Sequence, residues 1–221
     1  MTTTRVVCWN LEKRDLVPYA LNTFGADIGL FQEYNASFAM PGIEEYSRVE
    51  ALSFDTYGTS VFYRNSRFPR LVERIAVNSP HGDFRPRFWR GLVYKTSAIA
   101  VFDSLIVVSF HGYNGTLQGR RPRKLADHVE AVLNALGPYL TDRRRPVVFA
   151  GDFNTFTTEH HDAVEAVLVN HGFRKAIEVR YDRFKTLDLV FTRDCDANRV
   201  ASDWHESDHP YLVFDVVTPG Q

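Results

Sequence analysis

From Arg5 to Asn10 the chain reads RVVCWN, a run with the two-residue alternation of a strand. LVPYALNTFGADI follows as a short helix stopped at Gly25, and DIGLFQEY is a second apolar run ending at Glu33. GTSVFYR and RLVERIAV read as strands, the latter with clear alternation. RGLVYKTSAIAVFDSLIVVSFHG is rich in β-branched residues and holds two or three strands. In RKLADHVEAVLNALGPYL, Leu125, Val129, Val132, Leu133 and Leu136 fall on one helical face. PVVFAGDFNT is a fully apolar strand ending at Asp152. TTEHHDAVEAVLVNHG is a helix capped near Thr158 and stopped at Gly172. TLDLVFT and YLVFDVV close the chain as strands. The helices are too few for a repeated βαβ sheet, so the pattern predicts two packed sheets with helices outside.

Five apolar runs end or begin on a polar group able to do chemistry. They supply Asn10, Glu33, His111, the pair Asp152 and Asn154, and the pair Asp208 and His209; Asp188 lies inside a sixth run, TLDLVF. A carboxylate in such company is costly unless it is paired, hydrogen-bonded or bound to a metal. Residues two apart on an extended segment point the same way, so Asp152 and Asn154 of GDFN are expected to face one site, with Phe153 turned into the core. Singly, each has a plain alternative: Asn10 a turn residue, Glu33 a solvated strand end, GDFN an Asx turn, SDHP a turn before the strand that Pro210 opens. Asp188 is the hardest to explain by turn chemistry.

The set suits phosphoester hydrolysis. That reaction uses a hard divalent cation on oxygen ligands, for which Asn10, Glu33 and Asp208 are candidates. It uses an oriented, deprotonated water, a task for Asp152 or a His–Asp pair. It also uses donors to the phosphoryl oxygens, a task for Asn154, His111 and His209.

Composition narrows the classes. With 221 residues, 44% hydrophobic and 24% charged, the chain is read as a single globular domain over 1–221, without repeats or linkers. A net charge of −1 gives no global pull toward polyanions, although a local basic patch is compatible with it. Cys8 and Cys195 make neither a disulfide framework nor a zinc site. No signal-peptide pattern opens the sequence and no run reaches the ~18 apolar residues of a membrane span, so a reduced, cytoplasmic protein is expected, and it is read as a monomer. The absence of GxSxG argues against a serine hydrolase.

The ordered pieces WNL (9–11), QE (32–33), SFHGYN (109–114), GDFNT (151–155), LDLVF (187–191) and SDHPYLVF (207–214) resemble the endonuclease/exonuclease/phosphatase superfamily, which includes deoxyribonuclease-like enzymes. The resemblance implies an α+β fold, a four-layer α/β/β/α sandwich with two central, mostly antiparallel sheets. It also implies a Mg2+-dependent phosphoesterase, with Mn2+ as the alternative ion. Glu33 would be the principal metal ligand, helped by Asn10 and Asp208. His209, oriented by Asp188, would stand at the scissile phosphate. Asp152, with Asn154 beside it, would position or activate the water, and His111 would contact the phosphate. In the deoxyribonuclease branch a glutamate supports the histidine that His111 resembles; YGTSVFYR contains no such acid. Tyr113 could instead resemble the tyrosine that abasic-site enzymes place against phosphate.

Two segments bear on substrate. GRRPRK (Gly119–Lys124), with Arg120 and Arg121, could track a phosphate backbone, or be a solvated helix start. HGDFRPRFWR (His81–Arg90) interleaves arginine with aromatics including Trp89, and could stack bases or fold over the core edge. Together they lean toward nucleic acid over the alternatives, a phosphorylated lipid or small phosphoester. A catalytically silent binding module on the same fold is disfavoured by the completeness of the polar set.

Overall fold

A computed structural model describes residues 1–54, 56–84, 92–114, 122–141, 145–180 and 186–219. Twelve strands and three helices follow in chain order: β1 (Thr2–Asn10), α1 (Val17–Phe24), β2 (Ile28–Asn35), β3 (Tyr46–Phe54), β4 (Tyr57–Arg64), β5 (Leu71–Phe84), β6 (Leu92–Phe102) and β7 (Ile106–His111), then α2 (Pro122–Leu140), β8 (Val147–Asp152), α3 (Thr158–Asn170), β9 (Arg174–Arg180), β10 (Thr186–Arg193), β11 (Asp196–Asp203) and β12 (Tyr211–Thr218).

The strands form two six-stranded sheets, ordered β11-β12-β1-β2-β4-β3 and β5-β6-β7-β8-β10-β9. Each sheet is antiparallel except for one central parallel pair, β1 with β2 and β7 with β8. Three apolar layers explain the stacking. Val6, Cys8, Leu30, Ala98, Val107, Ala150, Val190 and Phe214 fill the space between the sheets. Val7, Trp9, Leu21 and Phe31 pack the first sheet against α1. Val108, Phe110, Phe149 and Phe191 pack the second against α2 and α3, through Val129, Val132, Leu136 and Val164. The result is the four-layer α/β/β/α sandwich expected from the sequence.

Details differ from the sequence reading at the margins. Three strands without a sequence signal, β3, β9 and β11, are all sheet edges. β11 has no fully buried residue, so it carries none of the apolar pattern of a central strand. β5 runs past its alternating stretch because a register shift between Asn78 and Gly82 accommodates Pro80 on an edge. The cap of α3 is Thr157, whose side chain accepts from the His160 amide, one residue earlier than expected. Gly25 ends α1 in the left-handed conformation.

Candidate active site

The two parallel pairs place four carboxyl-terminal strand ends at one edge of the sandwich. Asn10 ends β1 beside Gln32 of β2, and His111 ends β7 directly beside Asp152 of β8. The antiparallel neighbours bring their own residues to the same level. Asp188 of β10 pairs in register with Asp152, and His209 sits just before β12, which pairs with β1.

A network joins the sheets. Asn10 donates from Nδ2 to Asp152 Oδ2 at 3.0 Å, and its Oδ1 accepts from the Glu12 amide. The Asn154 amide donates to Asp152 Oδ1 at 2.9 Å, and Asn154 Nδ2 donates to the Gly112 carbonyl at 2.9 Å. Asn154 has φ 54, so GDFN is not extended through Asn154. An Asx turn closes there instead, and it keeps Asn154 against Asp152 while Phe153 is buried.

Asp188 Oδ2 lies 3.1 Å from His209 Nδ1, and Asp152 Oδ2 lies 3.8 Å from His209 Nε2. Three contacts fix the backbone around His209. Its carbonyl accepts from the Trp9 indole, its amide donates to Ser207 Oγ, and Ser207 Oγ donates to the Asn10 carbonyl at 2.6 Å. Burial alone would lower the His209 pKa, but Asp152 and then Asp188 carry it up to about 10. Burial pushes the Asp152 carboxyl up to about 6, against the opposing pull of His209.

On the other side, His111 Nε2 is 3.6 Å from Asp152 Oδ2, 3.9 Å from Glu33 Oε1 and 2.6 Å from Lys95 Nζ. Glu33 Oε2 pairs with Lys13 at 3.1 Å. Glu33 takes φ 49 where the β2–β4 register shifts, and Glu12, Lys13 and Glu206 are also left-handed. Non-glycine residues in this region cost about 1 kcal/mol or more each, and their concentration around the crevice is the pattern of a site held in shape by its surroundings.

The structure thus brings together Asn10, Glu33, His111, Asp152, Asn154, Asp188 and His209. Asp208 is exposed beside His209, and its charge helps raise that residue's pKa. Tyr113 is buried in the layer under α2, edge-on to His81 and beneath Lys124. Trp89, Arg120 and Arg121 lie outside the described residues. Sequence reasoning missed Lys95, a cation in an apolar strand that carried the same signal as Asp188. It also missed Trp9 and Ser207, which fix the His209 backbone and carry no such signal. Asp152, Asp188 and His209 offer ligand atoms all within 4.8 Å of one another, a buried cluster that could hold a metal ion.

No family model matches the chain, and no curated protein matches it. Solved structures do. An endonuclease/exonuclease/phosphatase family protein from Bacteroides thetaiotaomicron is 13% identical with a TM-score of 0.69, covering 99% of this chain and 96% of its own. ANGEL2, a 2',3'-cyclic phosphatase, is 13% identical with a TM-score of 0.70, covering 97% and 95%. A mannosyl-6-phosphatase of Bacteroides thetaiotaomicron is 13% identical with a TM-score of 0.68, covering 97% and 99%. The chain has the fold of the endonuclease/exonuclease/phosphatase proteins. Among the described residues, no helix is long and apolar enough to cross a membrane.

Proposed function

We propose that this protein is a divalent-metal-dependent phosphoester hydrolase, with nucleic-acid phosphodiesters as its substrate class. One observation carries the reading: Asp152 is buried at the junction of the sheets, contacted by Asn10 and Asn154 and flanked by His111 and His209, while Asp188 braces His209. A general base, an oriented imidazole and amide donors are the groups that in-line attack of water on a phosphoryl centre uses.

The donor chemistry fits a hard cation. Asn10, Glu33, Asp152 and Asp188 all carry side-chain oxygens, those of Asp152 and Asp188 close together with His209, and Mg2+ takes oxygen ligands while retaining waters. Glu33 would be the principal protein ligand, with Asn10 and the exposed Asp208 as further candidates. Mn2+ suits the same donors. Bound there, the ion would polarise the phosphate and stabilise the leaving oxygen. The chain's own residues do the rest. Asp152 orients water and takes its proton. His209, held by Asp188 through Nδ1, presents Nε2 to the phosphoryl group. Asn154 and Asn10 hold Asp152 in place.

The nucleic-acid assignment is supported by the arginine–aromatic composition of residues 81–90 and the cations of residues 119–124, and by a fold neighbour solved with adenosine-2',3'-vanadate. A small phosphoester is the second reading, favoured by the mannosyl-6-phosphatase among the neighbours.

The test is nicking of supercoiled plasmid and cleavage of single-stranded RNA, with magnesium or with chelator, comparing the wild type with His209→Ala. Metal-dependent cleavage lost in the variant supports the assignment. Hydrolysis of sugar phosphates but of neither polymer would move it to the second reading. No hydrolysis of any phosphoester would overturn both.

A further inference from the structure

We infer that Lys95 is the cation that meets the phosphoryl oxygens of the substrate, and that His111 acts through it as the acceptor that aims it. The inference rests on the phosphoester reading of the same site, and adds to it a residue and a role.

Lys95 lies in VYKTSAIAVF on β6 and is 8% exposed. Its neighbours along the strand show how it reaches the crevice. Ala98 and Ala100 lie between the sheets, whereas Ile99 and Val101 pack under α2. Lys95 shares the parity of Ile99 and Val101, so its stem leaves the strand on the helix side. Ser97 pairs with Phe110, so β6 carries Lys95 beyond the end of β7 to the level of Gly112. Gly112 has no room for a side chain, since a Cβ there would meet the Phe153 carbonyl at 2.5 Å. With no side chain to block it, the ammonium crosses to His111 Nε2 at 2.6 Å and approaches Glu33 Oε1 at 3.7 Å. Long cationic side chains bury an aliphatic stem and deliver the charge elsewhere in this way. Here the delivery point is the crevice.

The hydrogen bond fixes the role of His111. An ammonium only donates, so Nε2 must be the acceptor and the ring proton sits on Nδ1. A histidine supported by a carboxylate would present Nε2–H to the phosphate. β4 (Tyr57–Arg64) contains no acid, and its Thr59 is hydrogen-bonded to Thr96, next to Lys95. The donor facing the crevice is therefore the lysine.

The ammonium also stands beside the metal-ligand candidate Glu33, so a counter-ion role must be separated from a substrate role. Lys13 already occupies Glu33 Oε2 at 3.1 Å, closer than Lys95 stands to Oε1. Charge-assisted pairs favour about 2.7–2.9 Å. The tight contact of Lys95 is with the imidazole, which holds the ammonium where phosphoryl oxygens would arrive.

The experiment measures orthophosphate binding by calorimetry, with and without magnesium, for wild type, Lys95→Met and Lys95→Arg. It also measures kcat on bis(4-nitrophenyl) phosphate at saturating magnesium. Near-ultraviolet circular dichroism reports on folding, and Lys95→Arg retains the charge should Lys95→Met not fold. Expected is a loss of phosphate affinity of roughly tenfold or more in Lys95→Met, and a fall in kcat of roughly 10²-fold, the scale of losing one donor to a developing anion. Lys95→Arg recovers part of both.

An unchanged kcat and phosphate affinity, with only the magnesium half-saturation shifted, would make Lys95 a counter-ion of Glu33 and overturn the inference. Absence of phosphate binding by the wild type would overturn it as well. Lys95-dependent phosphate binding without hydrolysis of any ester would sink the hydrolase reading while leaving the Lys95 assignment in place.

Discussion

His209 places Nδ1 3.1 Å from Asp188 Oδ2, although Asp188 lies on β10 of one sheet and His209 just ahead of β12 of the other. The pair fixes which face of the imidazole turns to the crevice. Asp188→Asn keeps the volume but replaces the anionic acceptor with an amide. The expected result is a fall in kcat of roughly 10²- to 10⁴-fold with little change in KM. His209→Ala should cost about as much, and the double variant little more than either single one, because the pair acts as a unit. Steady-state kinetics on the three variants checks this.

Gly151 links the last apolar residue of β8 to Asp152. Its φ is 151, and a Cβ there would sit 2.0 Å from the Phe110 carbonyl on β7. The parallel pair cannot separate without moving His111 away from Asp152. Gly151→Ala should destabilise the fold by about 3 kcal/mol or more, lowering Tm by roughly 6–12 °C for a chain of this size. Thermal denaturation followed by circular dichroism provides the measurement, and a Tm within a degree of wild type would contradict the argument.

His128 is buried in α2 against Phe110, and neither ring nitrogen has a hydrogen-bond partner among the described residues. Burial, aided by Lys95 and His81, lowers its pKa from 6.5 to about 3. The folded state therefore holds the ring neutral, and its stability is whole above pH 6.5. As pH falls from 6.5 toward 3 the unfolded chain takes up the proton first. Stability should decline by up to about 1.4 kcal/mol per pH unit from this group. The urea midpoint of His128→Leu should match or exceed that of the wild type near neutrality and fall less steeply with acid. Comparing the two proteins cancels the other titrating groups.

Removing the metal should abolish hydrolysis, and returning magnesium or manganese should restore it. Binding to the folded state alone adds about 2.7 kcal/mol at a hundredfold excess over Kd, so Tm should rise by roughly 5–10 °C on adding magnesium. Glu33→Gln should reduce that rise. A full rise in Glu33→Gln would place the ion on Asp152, Asp188 and His209 instead, the buried cluster whose ligand atoms already converge.

Much of this was legible in the amino-acid order, for a physical reason. Central strands bury both faces, so β1, β2, β8, β10 and β12 read as apolar runs, and a polar residue within or beside one stands out. Asn10, Asp152, Asp188 and His209 were visible on that ground. Edge strands keep one side solvated, which hid β3, β9 and β11. Lys95 carried the same signal as Asp188, but a lysine on a strand is usually a solvated one. Trp9 and Ser207 lay within the pieces WNL and SDHPYLVF, but their roles were not legible, because an indole and a hydroxyl are ordinary in either setting.

The sequence by itself determined the layers, the strand ends and the types of group waiting there, since periodicity and burial cost act over a few neighbours. Only the tertiary structure decided which of those groups meet. Asn10 and Asp152 are 142 residues apart and belong to different sheets, yet share a hydrogen bond. Lys95 reaches His111 only because β6 runs past the end of β7 at Gly112. Contacts of that kind depend on strand register and sheet stacking, which are set by the packing of the whole core and leave no local mark in the chain.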